Sequence, residues 1–192
     1  MKQTSTYRIV EQAAEAAGLI IYGALHPARK PVKLLEHGTL ILLGTAGRFW
    51  DAFKASAEHL DGAPHPIDRW SERLITGLGA GLDATPYYPF TGPPYTPFID
   101  WALGSGRTFT SPSQMLVHDQ VGMLISLRGA LHFDQEFDIP APPLAASPCN
   151  ACIAKPCLSA CPVGAMVDGG PYGLAACHHH LDTVAGSECL SQ

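Results

Sequence analysis

Six cysteines are the residues in this chain best suited to chemistry, and all of them lie between positions 149 and 189. Four stand close together in Cys149-Asn150-Ala151-Cys152-Ile153-Ala154-Lys155-Pro156-Cys157-Leu158-Ser159-Ala160-Cys161, and Pro162 follows directly. The intervals are two, four and three residues. Thiolates this close on a tight loop can surround a 4Fe–4S cubane, each binding a different iron. The common bacterial spacing is two, two and three, then proline. Lys155 and Pro156 therefore read as a two-residue insertion between the second and third ligands. Small residues around the run (Ala151, Ala154, Ser159, Ala160, Gly164, Ala165) let backbone N–H groups approach sulfur, which tunes a reduction potential. Pro162 ends the loop by fixing its own φ and removing a donor.

Two other chemistries use clustered cysteines. One is a structural four-cysteine zinc site, whose ligands more often come as two separated pairs. The other is a reactive CxxC dithiol. The remaining cysteines, Cys177 and Cys189, bear on the ligand count. In two-cluster proteins the cysteine before the proline serves the other cluster. That division gives Cys149, Cys152 and Cys157 to one cluster and Cys161, Cys177 and Cys189 to a second, each set one thiolate short. Alternatively one cluster forms from Cys149, Cys152, Cys157 and either Cys161 or Cys189. A sequence that stops before its natural end is also expected to lack the missing pair, which the parent reading frame would supply. His178-His179-His180 reads as an exposed polar turn or helix start, with ligation by one imidazole as the alternative.

The composition narrows the setting. Hydrophobic residues make up 46% of the 192 and charged residues 15%, the balance of a globular chain with a real core and not of a disordered one. With 19 glycines and 17 prolines, much of the chain must be loops. The formal net charge of −5 and the lack of a basic cluster argue against nucleic acid as a main partner. No apolar run has signal-peptide length or approaches the roughly 20 residues of a membrane span. A reducing cytoplasm is the expected compartment, where clustered cysteines are more often metal ligands or redox groups than disulfides.

The elements that must position the cysteines follow from periodicity. Residues 6–17 predict a helix (Tyr7, Val10, Ala14, Ala17) stopped by Gly18, and Leu19–Tyr22 a short strand. Thr39–Gly44 predicts a buried strand, and Phe49–Leu60 a helix with Trp50, Phe53, Ala57 and Leu60 on one face. His65–Asp68 opens another helix with Trp70, Leu74 and Leu78 as its stripe. The prolines between Pro86 and Pro97 predict an irregular loop, and Phe98–Leu103 a short helix. Met115–His118 and Met123–Arg128, around Asp119-Gln120-Val121-Gly122, predict a β-hairpin. Ile139-Pro140-Ala141-Pro142-Pro143 predicts an extended linker. The expected organisation is an α+β domain over residues 1–138, a proline-rich linker over 139–148 and a cysteine-rich tail over 149–192.

On the run through Cys161-Pro162-Val163-Gly164-Ala165, with Cys177 sixteen residues after Cys161, the chain resembles ferredoxin-like iron–sulfur proteins related to epoxyqueuosine reductase. That family uses cobalamin and two 4Fe–4S clusters to reduce a tRNA base. His65–Trp70 and Tyr88–Pro94 carry a fainter likeness to cobalamin-processing proteins. The resemblance implies a nitroreductase-like, cobalamin-processing-like α+β domain followed by a small ferredoxin-like tail. It also implies one or two 4Fe–4S clusters, with cobalamin as a second cofactor. His118, Arg128, Tyr88 and Tyr95 would then line the corrinoid pocket. The expected function is electron transfer to a bound cofactor or a redox partner protein. The alternatives are a corrinoid-dependent reductase, with tRNA as a partner under that reading alone, and a zinc-stabilised four-cysteine binding module. Asp100, the single carboxylate between Phe98 and Val117, does not match that family's acidic catalytic segment and reads as a capping or surface residue.

Overall fold

A computed structural model describes residues 5–45, 47–143 and 146–190. The first helix, α1 (Thr6–Ala16), starts where the Ser5 side chain accepts a hydrogen bond from the Arg8 amide. It stops before Gly18, whose φ of +81° an ordinary residue would resist. Its buried residues, Tyr7, Val10 and Ala14, recur at helical spacing.

The chain then enters a four-stranded antiparallel sheet of order β1-β2-β6-β3. These strands are β1 (Leu19–Leu25), β2 (Thr39–Thr45), β3 (Thr85–Tyr87) and β6 (Leu127–Phe133). Strand β2 is central and apolar on both faces because both are covered. Ile41 and Leu43 face a core built with α1, with α2 (Phe49–Lys54) and with α4 (Pro66–Leu82). Leu40 and Leu42 face a second core built on Phe98, Trp101 and Ala102 of α5 (Phe98–Gly104). Trp101 is fully buried, and its indole N–H donates to the Lys33 carbonyl at 2.8 Å. Asp100 caps the same turn, accepting from the Lys33 amide at 2.7 Å.

Strand β1 runs past the expected end at Tyr22 because Gly23 lets the chain continue beneath α5. A Cβ there would lie 2.6 Å from Ser105 Cβ. Gly44 likewise does not stop β2, since the Tyr22 ring lies over it and a Cβ would come within 2.1 Å.

Three expectations are corrected. The helix over 49–60 is two pieces, α2 and α3 (Ala57–Leu60), because the Ser56 hydroxyl accepts from the His59 amide and caps a new start. The proline-rich segment contributes β3, which tolerates Pro86 because it is an edge strand pairing with β6 alone. The 115–128 hairpin does not form. Strand β5 (Leu116–His118) pairs with β4 (Thr108–Thr110), while β6 leaves to fill the main sheet between β2 and β3. Only the turn survives, closed by amide–carbonyl bonds of 2.9 and 3.0 Å between His118 and Gly122. A seven-residue apolar strand gains far more from burial in the main sheet than from a three-residue partner.

The fold is thus mixed α+β around a small antiparallel sheet. The segment read as a linker is partly docked: Ile139 packs on the first core and Pro142 lies against Gly106. Residues 144 and 145 of that segment fall outside the described residues. The tail holds a 3-10 turn (Pro148–Ala151), α6 (Pro156–Ser159), α7 (Leu174–Leu181) and α8 (Ser187–Leu190). No described helix is long and apolar enough to cross a membrane.

Candidate metal centre

The cysteines are carried by short turns whose geometry the local sequence sets. Ser147 accepts from the Cys149 amide at 3.2 Å, and Pro148 begins the 3-10 turn that brings Cys152 back over Cys149. Lys155 takes a left-handed backbone (φ +41°), and Pro156 then starts α6, which carries Cys157. The Lys155 ammonium pairs with the Asp168 carboxylate at 2.5 Å. That carboxylate first, and then the Cys152 and Cys157 sulfurs, hold the ammonium above the usual lysine range.

Cys161 closes the run inside a cradle of backbone N–H groups. The Ala165 amide donates to its sulfur at 3.2 Å. The Val163 amide first, then those of Ala165, Met166 and Gly164, pull the thiol below its ordinary pKa against the opposing effect of burial. Successive amides aimed at one point make an anion-binding concavity, here around a thiolate.

A backbone relay joins this cradle to the next cysteine. The Ala165 carbonyl accepts from Gly173 N–H at 2.8 Å, and the Gly173 carbonyl accepts from Cys177 N–H at 3.0 Å. Tyr172 directly precedes Gly173, and its phenol is pushed up first by hydrogen bonding to Cys177, then by burial and by Cys177, Cys161 and Cys189 as nearby thiolates. Cys189 sits on α8, its amide bonded to the Gly186 carbonyl at 3.1 Å. Along the chain the cysteines thus fall into Cys149, Cys152 and Cys157, which flank Lys155 in sequence, and Cys161, Cys177 and Cys189, the thiols that bear on the Tyr172 phenol. All six are free thiols. Among the described residues, no three or more His, Cys, Asp or Glu side chains are gathered around a single metal position. His178, His179 and His180 occupy the last turn of α7, not a helix start.

The tail has almost no core of its own. Among its described residues Ala165 is the one buried apolar side chain, while Ile153 and Val184 are almost fully exposed. A small segment without a hydrophobic core needs a staple such as a metal centre to hold one structure. Partly exposed thiols on short turns, one of them cradled by amides, have the donor chemistry of iron–sulfur ligands, though among the described residues they are not gathered at one position.

A cleft of about 590 Å³ separates this tail from the N-terminal domain. Thr110, Ser111 and Gln114 line one wall, and Cys149, Lys155 and Asp168 the other. The Gln114 side-chain amide donates across it to the Gly170 carbonyl.

The four residues expected around a corrinoid do not converge. Arg128 and Tyr88 meet at the Phe90 ring, Arg128 at 6.0 Å from its centroid and Tyr88 stacked at 5.5 Å. Arg128 also pairs with Asp68 at 3.1 Å, and the Tyr88 hydroxyl bonds Thr76 at 2.6 Å. Tyr95 is exposed. His118 is elsewhere, buried against the Tyr22 ring with both nitrogens in use. Nε2–H donates to the Tyr22 carbonyl at 2.7 Å, and Nδ1 accepts from the Gln120 amide at 3.1 Å. Nδ1 also lies 3.2 Å from the Asp119 carboxylate, so every polar atom of the ring has a partner within the N-terminal domain. Beside it the Arg107 guanidinium forks onto Asp119, whose carboxylate is 1% exposed. The sequence reading missed this pair; Arg107 and Asp119 sit at the two ends of the β4–β5 unit, and no short-range spacing links them.

Burial pushes the His118 imidazole below its usual pKa, outweighing the upward pulls of the Tyr22 carbonyl and Asp119. The unfolded chain therefore takes up a proton near pH 6.5 while the folded chain does not. Stability from this group is complete above about pH 6.5 and is lost as pH falls toward the lower folded value. Urea midpoints measured from pH 7.5 to 5 are expected to fall more steeply in the native chain than in His118→Gln, which keeps the donor to Tyr22. Parallel pH profiles would contradict this.

No family model matches the chain, and no curated protein matches it.

Proposed function

We propose that this protein is a 4Fe–4S redox protein that passes electrons to a bound cofactor or a partner protein. The observation that carries the reading is the pairing of a closely spaced cysteine run with a tail whose described residues bury almost no apolar side chain. Cys149, Cys152 and Cys157 would hold one cluster. Cys161 would complete that set or, with Cys177 and Cys189, hold a second; the relay joining Cys161 to Cys177 supports the second division. When bound, such a cluster supplies reversible one-electron transfer. The chain's own residues do the rest. The amides around Cys161 stabilise thiolate, Tyr172 sits against Cys177, and the short turns fix the spacing of the sulfurs. We read the tail as ferredoxin-like and the preceding α+β domain as nitroreductase-like, of the cobalamin-processing kind.

The test is redox cycling of the anaerobically reconstituted chain. A broad visible band that bleaches on stoichiometric dithionite, and returns on titration with a one-electron oxidant, is the expected result. A coloured protein that does not cycle would remove the electron-transfer role.

A second reading, a corrinoid-dependent reductase of the epoxyqueuosine type, draws on Arg128 and Tyr88 meeting at Phe90. Corrinoid retained through purification from supplemented cells would favour it over a plain electron carrier.

A further inference from the structure

A cavity of about 250 Å³ lies beside β1, an edge strand of the main sheet, and is lined by Gly23 and Ala24 and by residues 140–143. Three of those last four residues are prolines, which have no N–H to offer a neighbouring acceptor. Tyr7 joins the lining from α1. It is 8% exposed, and among the described residues its hydroxyl has no hydrogen-bond partner. Buried polar groups in folded chains are nearly always bonded, so a lone one needs a reason.

The lining also carries two charged residues, Glu11 and Arg107. Arg107 directs Nε and Nη2 to Asp119, which leaves Nη1 without a partner among the described residues. Glu11 accepts from Arg8 through Oε2 at 2.6 Å, and its Oε1 has no partner among them either. The phenol feels both charges: burial first and then Glu11 push its pKa up, and Arg107 opposes them.

We propose that this cavity binds a small zwitterionic α-amino acid, its carboxylate on Arg107 Nη1 and the Tyr7 hydroxyl and its ammonium on Glu11 Oε1. The inference goes beyond the cluster reading and uses none of the cysteines. The Arg107–Asp119 and Arg8–Glu11 pairs each sum to zero charge, so the site has no net attraction for an ion of either sign. A plain carboxylate would be repelled by Glu11, and a plain amine by Arg107. A molecule carrying both charges complements both groups, and a guanidinium suits a carboxylate in particular. The volume lies at the small end of ligand sites, which restricts the side chain to a short one.

The test is isothermal titration of the full chain with glycine, L-alanine, acetate and methylammonium. L-Alanine is expected to bind saturably, and acetate and methylammonium each about tenfold or more weakly than it. Tyr7→Phe keeps the ring in the first core and deletes the hydroxyl alone. It should weaken alanine binding by about tenfold and leave thermal unfolding of the free chain unchanged, since that hydroxyl has no bond to lose. Glu11→Gln keeps the shape without the charge and should weaken binding by a similar factor. No saturable heat with either amino acid overturns the proposal, and so does alanine binding that either variant leaves unchanged. Acetate bound as tightly as alanine overturns it too, leaving a plain anion site.

Discussion

Replacing Cys161 with alanine is expected to strip the chain of half or more of its bound iron and visible absorption. The reason lies in where this sulfur sits. Cys161 is the last residue of the closely spaced run, and its thiol is the one drawn below its ordinary pKa by four surrounding amides. It would be a ligand as the fourth of a single cluster or the first of a second held with Cys177 and Cys189, and is left out only where Cys189 completes the single cluster. Alanine leaves the amide cradle with no anion to hold. Cys161 belongs to neither apolar core of the N-terminal domain, so thermal unfolding of that domain should be unchanged. Iron analysis and absorbance after identical anaerobic reconstitution check the expectation. Undiminished iron and absorbance in Cys161→Ala would remove Cys161 from the ligand set.

The largest stability effect is expected at Asp119. Its carboxylate is 1% exposed and accepts three contacts of 2.9 to 3.2 Å from the Arg107 fork. The Asp119 amide also donates to the Arg107 carbonyl at 2.9 Å, so backbone and side chain join the same two residues. Removing one partner of a buried pair leaves the other charge uncompensated, at a cost of about 3–5 kcal/mol. For a chain of this size Asp119→Ala should therefore melt about 10 °C lower. The double variant Arg107→Met/Asp119→Leu should lose less than Asp119→Ala alone, because no stranded guanidinium is left. A loss below about 1 kcal/mol for the single variant, or a larger loss for the double, would contradict this.

How far the sequence foretold these features varies by element. Helix α1, strand β2 and helices α4 and α5 were legible because their apolar residues repeat at one clear period or run unbroken between stops. The 115–128 hairpin was not, because a local turn signal at Asp119–Gly122 says nothing about which distant strand competes for each arm. Long-range burial decided that, and β6 left β5 for β2. The break at Ser56 was hidden in a pattern that reads equally well as one helix. Pro86 concealed β3 because proline argues against a central strand and leaves an edge strand open. At the candidate site, the cysteine spacing could be read directly, since metal motifs are written in short intervals. The Lys155–Asp168 pair, the Ala165–Gly173–Cys177 relay and the buried partners of His118 could not, because each depends on residues that only the folded chain brings together.

Anaerobic elemental analysis of the reconstituted chain for iron, acid-labile sulfide and zinc tests the cluster most directly. About four irons and four sulfides per chain are expected for one cluster, or about eight of each for two. About one zinc per chain with neither iron nor sulfide would contradict the redox reading and leave the cysteines as a structural four-thiolate zinc site.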